Sequence, residues 1–375
     1  MHETTCCKTY KEKLRPTPTQ EREMERVLLL CRQLYTTALE RRITARHRCQ
    51  VSVSRFEQEA ELKAIRAEFP EYAAIHSHIL QDVLGRLDKT YQAFFRRVQR
   101  GEGGKKAGFP RFKRRTRYHS FTFNEYGKGA RLDNGTLVPA KIGRIGVQWS
   151  RPLEGTPKTV TLSQEAEGWW YVAISCAEVR MHPLPPTGQE TGIDLGLESF
   201  ATLADGAMIH NPRCDRTAEA YLQRCQRRVA RRTPGSRRRK NAVKLLAKAH
   251  HKISRARRDF HHKAALSLVR QYDVISYEDL RIRNMVKNHH LAKSISDAGW
   301  SHCLGILTFK AAGAGKRVHA VEPAYTSQRC SGPKCGETVW KGLSVRWNEC
   351  PHCGISLHRD HNAALNILAP GKSTK

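Results

Sequence analysis

The chain has 375 residues, enough for two or three domains with real cores, and carries 66 Lys and Arg against 35 Asp and Glu, a formal charge of +31. A chain so charged repels itself unless a polyanion neutralises it, so nucleic acid is the expected partner and an anionic membrane surface the rival. The absence of an apolar run of about 18 residues argues against a membrane span, no secretory signal is seen, and twelve mostly scattered Cys speak for a reducing compartment over a disulfide scaffold.

In chain order, Lys8–Leu14 reads as a strand. "RPTPTQERE" then opens a helix, with Thr17 as N-cap, Pro18 at N1 and Gln20 at N3 completing a capping box. Met24, Val27, Leu28, Cys31, Leu34, Tyr35 and Ala38 follow three-four spacing, which buries one face, and helical sequence continues to about Val98. A Gly-rich break, "GEGGKKAG" (101–108), precedes "FPRFKRRTRYHSFTF". There Arg111, Lys113, Arg114 and Arg115 interleave with aromatics, which suits phosphate neutralisation with base stacking and equally suits a strand with a buried aromatic face. From Ser120 to Val179, short alternating runs such as "KTVTLSQ" and "WWYVAISC" between "DNG" and "EGTP" turns read as a small β-barrel or sheet, with Trp169 and Trp170 as packing residues.

"HPLPPTG" (182–188) marks a boundary. "ETGIDLGLESFATLADGAMIHN" reads as a β-meander with Asp205-Gly206 in its tight turn. Residues 216–271 form a basic helical pair broken at "TPGS" (233–236), with Leu246, Ile253 and Phe260 at seven-residue spacing. The cation density through Arg237, Arg238, Arg239 and Lys240 exceeds what a solvated face needs and points to phosphate contact. "DVISYEDL" is a short apolar strand, 294–312 a helix and "RVHAVEP" another strand, so this half is an α/β domain.

Two groups of residues carry chemistry. Cys330-x4-Cys335 and Cys350-x2-Cys353 are paired thiolates that satisfy tetrahedral Zn2+, and four sulfurs leave no open position, so the metal is structural. His352 and His358 stay outside that set, as solvent or nucleic-acid contacts. The second group is three acids. Asp194 interrupts the apolar "GIDLG", Glu278 ends "VISYE", and Asp360 begins the helix "HRDHNAALNIL" with Ala364 and Ile367 on its face. A carboxylate within an apolar strand is costly unless paired or metal-bound, whereas an Asp at a helix start has a purely structural explanation in the helix dipole. Together they have the arrangement of an RNase H-like fold: an acid on the first strand, one at the end of the fourth, one on a late helix. Hard oxygen ligands suit Mg2+, and two Mg2+ about 3.5–4 Å apart can activate water and stabilise the leaving oxygen of a phosphodiester. Asp205 is set aside as a turn residue and Asp279 because it should face away from Glu278.

"GIDLGLESFATLADG", "ISYEDLRIRNMVKN", "LAKSISDAGW", "YTSQRCS…C…CPHCG" and "RDHNAALNIL" occur in the order found in TnpB, the transposon-encoded RNA-guided nuclease family related to type V CRISPR effectors. "LRPTPTQE", "LYTTALE" and "GFPRFKRR…SFTF" match as well, so the sequence resembles that family over nearly its whole length. The first Cys pair departs from it, with four intervening residues where two are commoner.

The resemblance implies a mixed α/β multidomain chain: a wedge β-barrel (1–15 and 115–185), a helical recognition lobe (16–114), a RuvC nuclease domain (186–328 and 357–375) and a zinc-ribbon insertion that binds target nucleic acid (329–356). It implies Asp194, Glu278 and Asp360 as ligands of two Mg2+, one Zn2+ on the four Cys, and one chain per guide RNA derived from the transposon end. The activity implied is cleavage of double-stranded DNA beside a short target-adjacent motif, in a prokaryotic cytoplasm at the nucleoid. Two other readings are a guide-directed repressor that binds without cutting, which intact acids argue against, and a strand-transfer transposase, which the neighbouring motifs fit poorly.

Overall fold

The computed structural model describes residues 5–101, 108–340, 342 and 345–371. Most of the Gly-rich break at 101–108, the last four residues and the side chain of Arg115 lie outside this set. The chain divides into two compact units, Met1–Arg180 and Met181–Lys375. Among the described residues no helix is long and apolar enough to cross a membrane.

The first unit begins with strand β1 (Thr5–Arg15) and helix α1 (Pro18–Cys49). Helix α1 starts where the sequence demands it. The Thr17 hydroxyl accepts from the Gln20 amide at 3.3 Å, and the Gln20 side chain accepts from the Thr17 amide at 2.9 Å. All seven residues of the expected apolar face are buried. The helix stops at Gln50, whose φ of 55° is left-handed. Three short helices, α2 (Arg55–Ala60), α3 (Leu62–Glu68) and α4 (Pro70–Ala73), lead to α5 (Ser77–Gln99).

Six strands follow: β2 (Ser120–Phe123), β3 (Ala130–Asp133), β4 (Thr136–Pro139), β5 (Ile145–Gln148), β6 (Thr156–Gln164) and β7 (Trp170–Arg180). With β1 they make one antiparallel sheet in the order β2-β6-β7-β1-β5-β4-β3. It is nearly closed, short of the expected barrel: β2 and β3 are its ends, and no ladder joins them among the described residues. Alternation along the strand separates the two tryptophans. Trp170 is buried against Phe121, while Trp169 lies outside with the Lys13 ammonium 3.2 Å from its ring centre. Helices and sheet of this unit share a single core.

In the second unit β8 (Glu190–Leu195), β9 (Ser199–Leu203) and β10 (Met208–His210) form the meander. Helices α6 (Cys214–Ala230) and α7 (Arg237–Gln271) are separated by a turn in which Gly235 takes φ +84° and Ser236 caps α7. Then come β11 (Val274–Glu278), α8 (Ile282–Met285), α9 (Ala292–Ala298), α10 (Trp300–Gly313), β12 (Arg317–Val321), the hairpin β13 (Trp347–Glu349) and β14 (Ser356–His358), and α11 (Arg359–Gly371). The five-stranded sheet runs β10-β9-β8-β11-β12, antiparallel through the meander and parallel from β8 to β12.

The single helix expected over 294–312 is instead two. Gly299 breaks it with φ +65°, and a Cβ there would sit 3.1 Å from the buried His261 ring, so neither the backbone nor the space admits another residue easily. One face of the sheet, carrying Ile193 and Ile275, packs on α7 and α10 through Ala265, Leu268, Val269 and Leu307. Strand alternation turns Gly192 and Asp194 to the other face, which α11 covers.

Candidate active site and metal centre

The approach of α11 depends on a missing side chain. A Cβ on Gly192 would lie 2.1 Å from the Ala364 carbonyl oxygen and 2.6 Å from the Leu368 amide, so only glycine lets the helix backbone rest on β8. Ala363, Ala364 and Ile367 are then fully buried, and Asp360, one turn before Ala364, is carried to the end of the strands with 15% of its side chain exposed. The β8–β11 ladder ends at Ile193 opposite Tyr277. One step further along these parallel strands places Asp194 beside Glu278, on the same face.

Three acids separated by up to 166 positions in the sequence (360 − 194) are thereby brought together. Burial pushes the Asp194 carboxyl well above the usual carboxylate range. Glu278 and then Asp360 push it further, against the opposing pull of Arg359. Burial also raises Glu278, and a hydrogen bond from the Thr326 hydroxyl partly offsets it. The acids are close enough to act on one another but are not drawn tight: the only group of three or more potential ligands within 4.8 Å among the described residues is the thiol cluster. An all-oxygen set under mutual repulsion fits a hard divalent cation, which would relieve that repulsion.

Around the acids the structure adds Thr326 and Arg359, which composition and spacing do not single out. Thr326 donates to Glu278, and Arg359 reaches the Gly342 carbonyl at 2.9 Å and the Ser327 hydroxyl at 3.2 Å. His358 sits beside Asp360, its Nδ1 3.9 Å from the carboxylate and accepting weakly from the Asp360 amide. Asp205 lies in its turn, accepting from the Tyr272 hydroxyl at 2.7 Å, and Asp279 is exposed.

The four thiols form the second centre. Cys330 and Cys353 sulfurs are 3.5 Å apart, Cys335 and Cys350 sulfurs 3.7 Å, and all four lie within 4.8 Å. The edge of a tetrahedron with metal–sulfur bonds of about 2.3 Å is about 3.8 Å, so the spacing fits one four-coordinate metal such as Zn2+. Burial pushes the Cys330 thiol up to about 12. Burial acts the same way on Cys350, but amides of Cys353 and His352 donate to its sulfur and hold it below the ordinary thiol range. The four-residue spacing of the first pair is accommodated by a positive φ at Lys334 (63°). His352 is exposed and outside the cluster.

Of the cationic candidates, Arg111, Arg114, Arg237, Arg238 and Lys240 are exposed, and Lys113 leans toward the Tyr35 ring at 5.8 Å. Arg239 is engaged differently. Its guanidinium donates to the Val229 and Arg232 carbonyls, both at 3.0 Å, closing the end of α6. One arginine-lined concavity lies along α6, where Arg224, Arg227, Arg228, Arg231 and Arg232 line a depression of about 330 Å³. Arg228 and Arg232 also border a neighbouring one with Arg238.

Comparison with known proteins extends this picture. Family models match at residues 173–289 ("Probable transposase"), 300–367 ("Cas12f1-like, TNB domain") and 5–50 ("Helix-turn-helix domain"), the last a stretch that here is one strand and one continuous helix. A Streptomyces pristinaespiralis protein named "Putative RNA-guided DNA endonuclease" is 35% identical over 371 residues, 97% of this chain and 89% of that one. An Escherichia coli K12 protein, "Putative RNA-guided DNA endonuclease InsQ", is 31% identical over 96% of this chain and 92% of its own. The "TnpB-like protein L79" of a mimivirus is 25% identical over 63% of this chain and 47% of its own. Among solved structures, the Cas12f1 chain of a cryo-EM complex described as Cas12f1-sgRNA-target DNA shares the fold at a TM-score of 0.59 and 12% identity, over 98% of this chain and 99% of that one. The mixed α/β fold is thus shared with the Cas12f1 chain, and identity above 30% across nearly the full length shows that the chain belongs to the TnpB family.

Proposed function

We propose that this chain is a transposon-encoded RNA-guided DNA endonuclease, cutting double-stranded DNA at one metal-dependent site formed by Asp194, Glu278 and Asp360. The observation that carries the reading is the convergence of three acids on one sheet face, each pushed there by a separate element, with Asp194 raised by the other two. A sheet whose first strand lies centrally, with an antiparallel meander continuing on one side and two parallel strands on the other, supports assignment to the RuvC, RNase H-like class. The whole-length likeness to proteins named RNA-guided DNA endonucleases supports the same activity.

In this reading Asp194, Glu278 and Asp360 hold two Mg2+, and Cys330, Cys335, Cys350 and Cys353 hold one structural Zn2+. Bound Mg2+ would lower the pKa of a water so that it can lose its proton and attack phosphorus as hydroxide, and would offset charge developing on the leaving oxygen. The residues' own contribution is to gather negative charge where the phosphodiester must lie, and to do so on rigid elements. Residues 1–15 and 115–185 serve as the wedge, 16–114 as the recognition lobe and 329–356 as the ribbon that contacts target nucleic acid. The guide RNA comes from the transposon end, one chain per RNA, and pairing with the guide reads the sequence while the protein reads a short adjacent motif.

The experiment is to sequence RNA co-purified with the chain and then offer the complex a duplex matching its variable segment, with Mg2+ present. A defined scaffold with a variable 3′ segment and Mg2+-dependent double-strand cutting would support the reading. Guided binding without cutting would support the repressor instead, and joined strands in the products would support a transposase.

A further inference from the structure

Between β12 and the first thiol lies a short segment whose bonds run in two directions. At one end the Thr326 hydroxyl donates to Glu278 Oε1. That hydroxyl is also 3.2 Å from the Pro323 carbonyl, but it has one proton and the carboxylate is the stronger acceptor. At the other end Cys330 enters the thiol cluster. Two amides on α11 pin the backbone between them. Asn366 donates to the carbonyls of Thr326 at 2.8 Å and Arg329 at 2.7 Å. Asn362 donates to the Arg329 carbonyl at 2.7 Å and accepts from the Ser331 amide at 2.9 Å and from the Asn348 side chain at 2.6 Å. Asn362 and Asn348 are completely buried, where an amide is costly unless paired; Asn362 uses both its oxygen and its nitrogen, and Asn348 its nitrogen, while the Asn348 oxygen has no partner among the described residues. Among the described residues neither Asn362 nor Asn366 has a hydrogen bond to a thiol or an acid, so their bonds act on the segment itself.

We infer that Thr326 is a positioning residue for Glu278, and that the segment Thr326–Ser331, clamped by Asn362 and Asn366, couples the ribbon to the acid site so that the ribbon's fold sets where the Glu278 carboxylate lies. The hydroxyl fixes one carboxylate oxygen, and Oε2 has no hydrogen-bond partner among the described residues. The clamp sits on the helix that carries Asp360, so one helix holds one acid directly and a second acid through Thr326. The inference rests on the reading that the acids bind divalent cations.

The test titrates Mn2+ into the full-length, zinc-loaded chain in salt high enough to keep it soluble. Binding is followed by electron paramagnetic resonance, with the Asp194→Ala chain as background. Thr326→Val, which keeps the shape and removes the hydroxyl, should weaken Mn2+ binding by about ten- to a hundredfold, the range for outer-shell partners of metal ligands. Thr326→Ser should restore it, and zinc content should stay equal in all three. Asn366→Ala should weaken Mn2+ binding with zinc retained, and Cys353→Ser should do so with zinc lost. Wild-type Mn2+ affinity in Thr326→Val, whatever its melting temperature, would overturn the positioning role. Unchanged affinity in both Asn366→Ala and Cys353→Ser would overturn the coupling. If the wild type itself binds no more Mn2+ than Asp194→Ala, the metal-site reading falls and this inference with it.

Discussion

Asp194 is buried between strands with two other carboxylates beside it, and each of those facts disfavours its charged form. An acid whose pKa is raised in the folded state contributes stability while protonated. That contribution is present below the ordinary aspartate range, about 4, and is lost as pH rises through the raised value. In chelator, Asp194→Asn should therefore melt above wild type near neutral pH, and the difference should shrink toward acid; equal melting at neutral pH would mean that Asp194 is not strained. Asp194 and Glu278 could be read from sequence because a carboxylate is out of place in an apolar strand. Thr326, Asn362 and Asn366 could not, since a threonine in a loop and asparagines on a helix look the same whether or not they hold a backbone in place. Arg239 shows the converse. Cation density marks a surface, but not which guanidinium turns inward to a helix end.

At the scale of elements, the site depends on α11 lying against β8. Gly192→Ala would drive a methyl group into the Ala364 carbonyl, a backbone atom that cannot rotate away. Overpacking of this kind costs about 1–3 kcal/mol, and here the helix carrying Asp360 must lift, so the variant should lose both stability and cleavage. A fully active Gly192→Ala would mean that the helix rests elsewhere. The thiol cluster makes a parallel prediction. Zinc binding and folding of such units are coupled, so purified protein should carry about one Zn2+ per chain, and Cys353→Ser should lose zinc and melt its ribbon earlier. Elemental analysis finding no zinc in active protein would contradict this. The elements themselves were largely legible, from the capping box of α1 to the turns of the meander. The break between α9 and α10 was not, because apolar spacing continues through Gly299, while its left-handed backbone and the His261 ring that leaves no room for a side chain there are tertiary features. That the seven-stranded sheet stops short of a closed barrel was likewise beyond local pattern, since closure depends on how edge strands meet.

For the molecule as a whole, a charge of +31 sets the behaviour in solution. Affinity for nucleic acid should fall steeply with salt, by a slope near one per phosphate neutralised. Arg231→Ala and Arg238→Ala, which remove exposed cations at the two α6 concavities, should each lower that slope by about one, whereas Arg239→Ala should mainly loosen the end of α6. An unchanged slope in Arg231→Ala and Arg238→Ala would place those concavities in solvent. The central claim is that recognition and cutting are separable. On the proposed reading, guide pairing and cationic contacts would find the target, while Asp194, Glu278 and Asp360 would act as one unit that cuts it. The measurement is a paired assay of Asp360→Ala, with its RNA, on a matched duplex: gel-shift binding beside cleavage in Mg2+. The account predicts binding near wild type and cleavage lower by orders of magnitude, with little added by Asp194→Ala or Glu278→Ala. Cleavage by Asp360→Ala at the wild-type rate would contradict it, leaving Asp360 as a helix-start acid with no part in the chemistry.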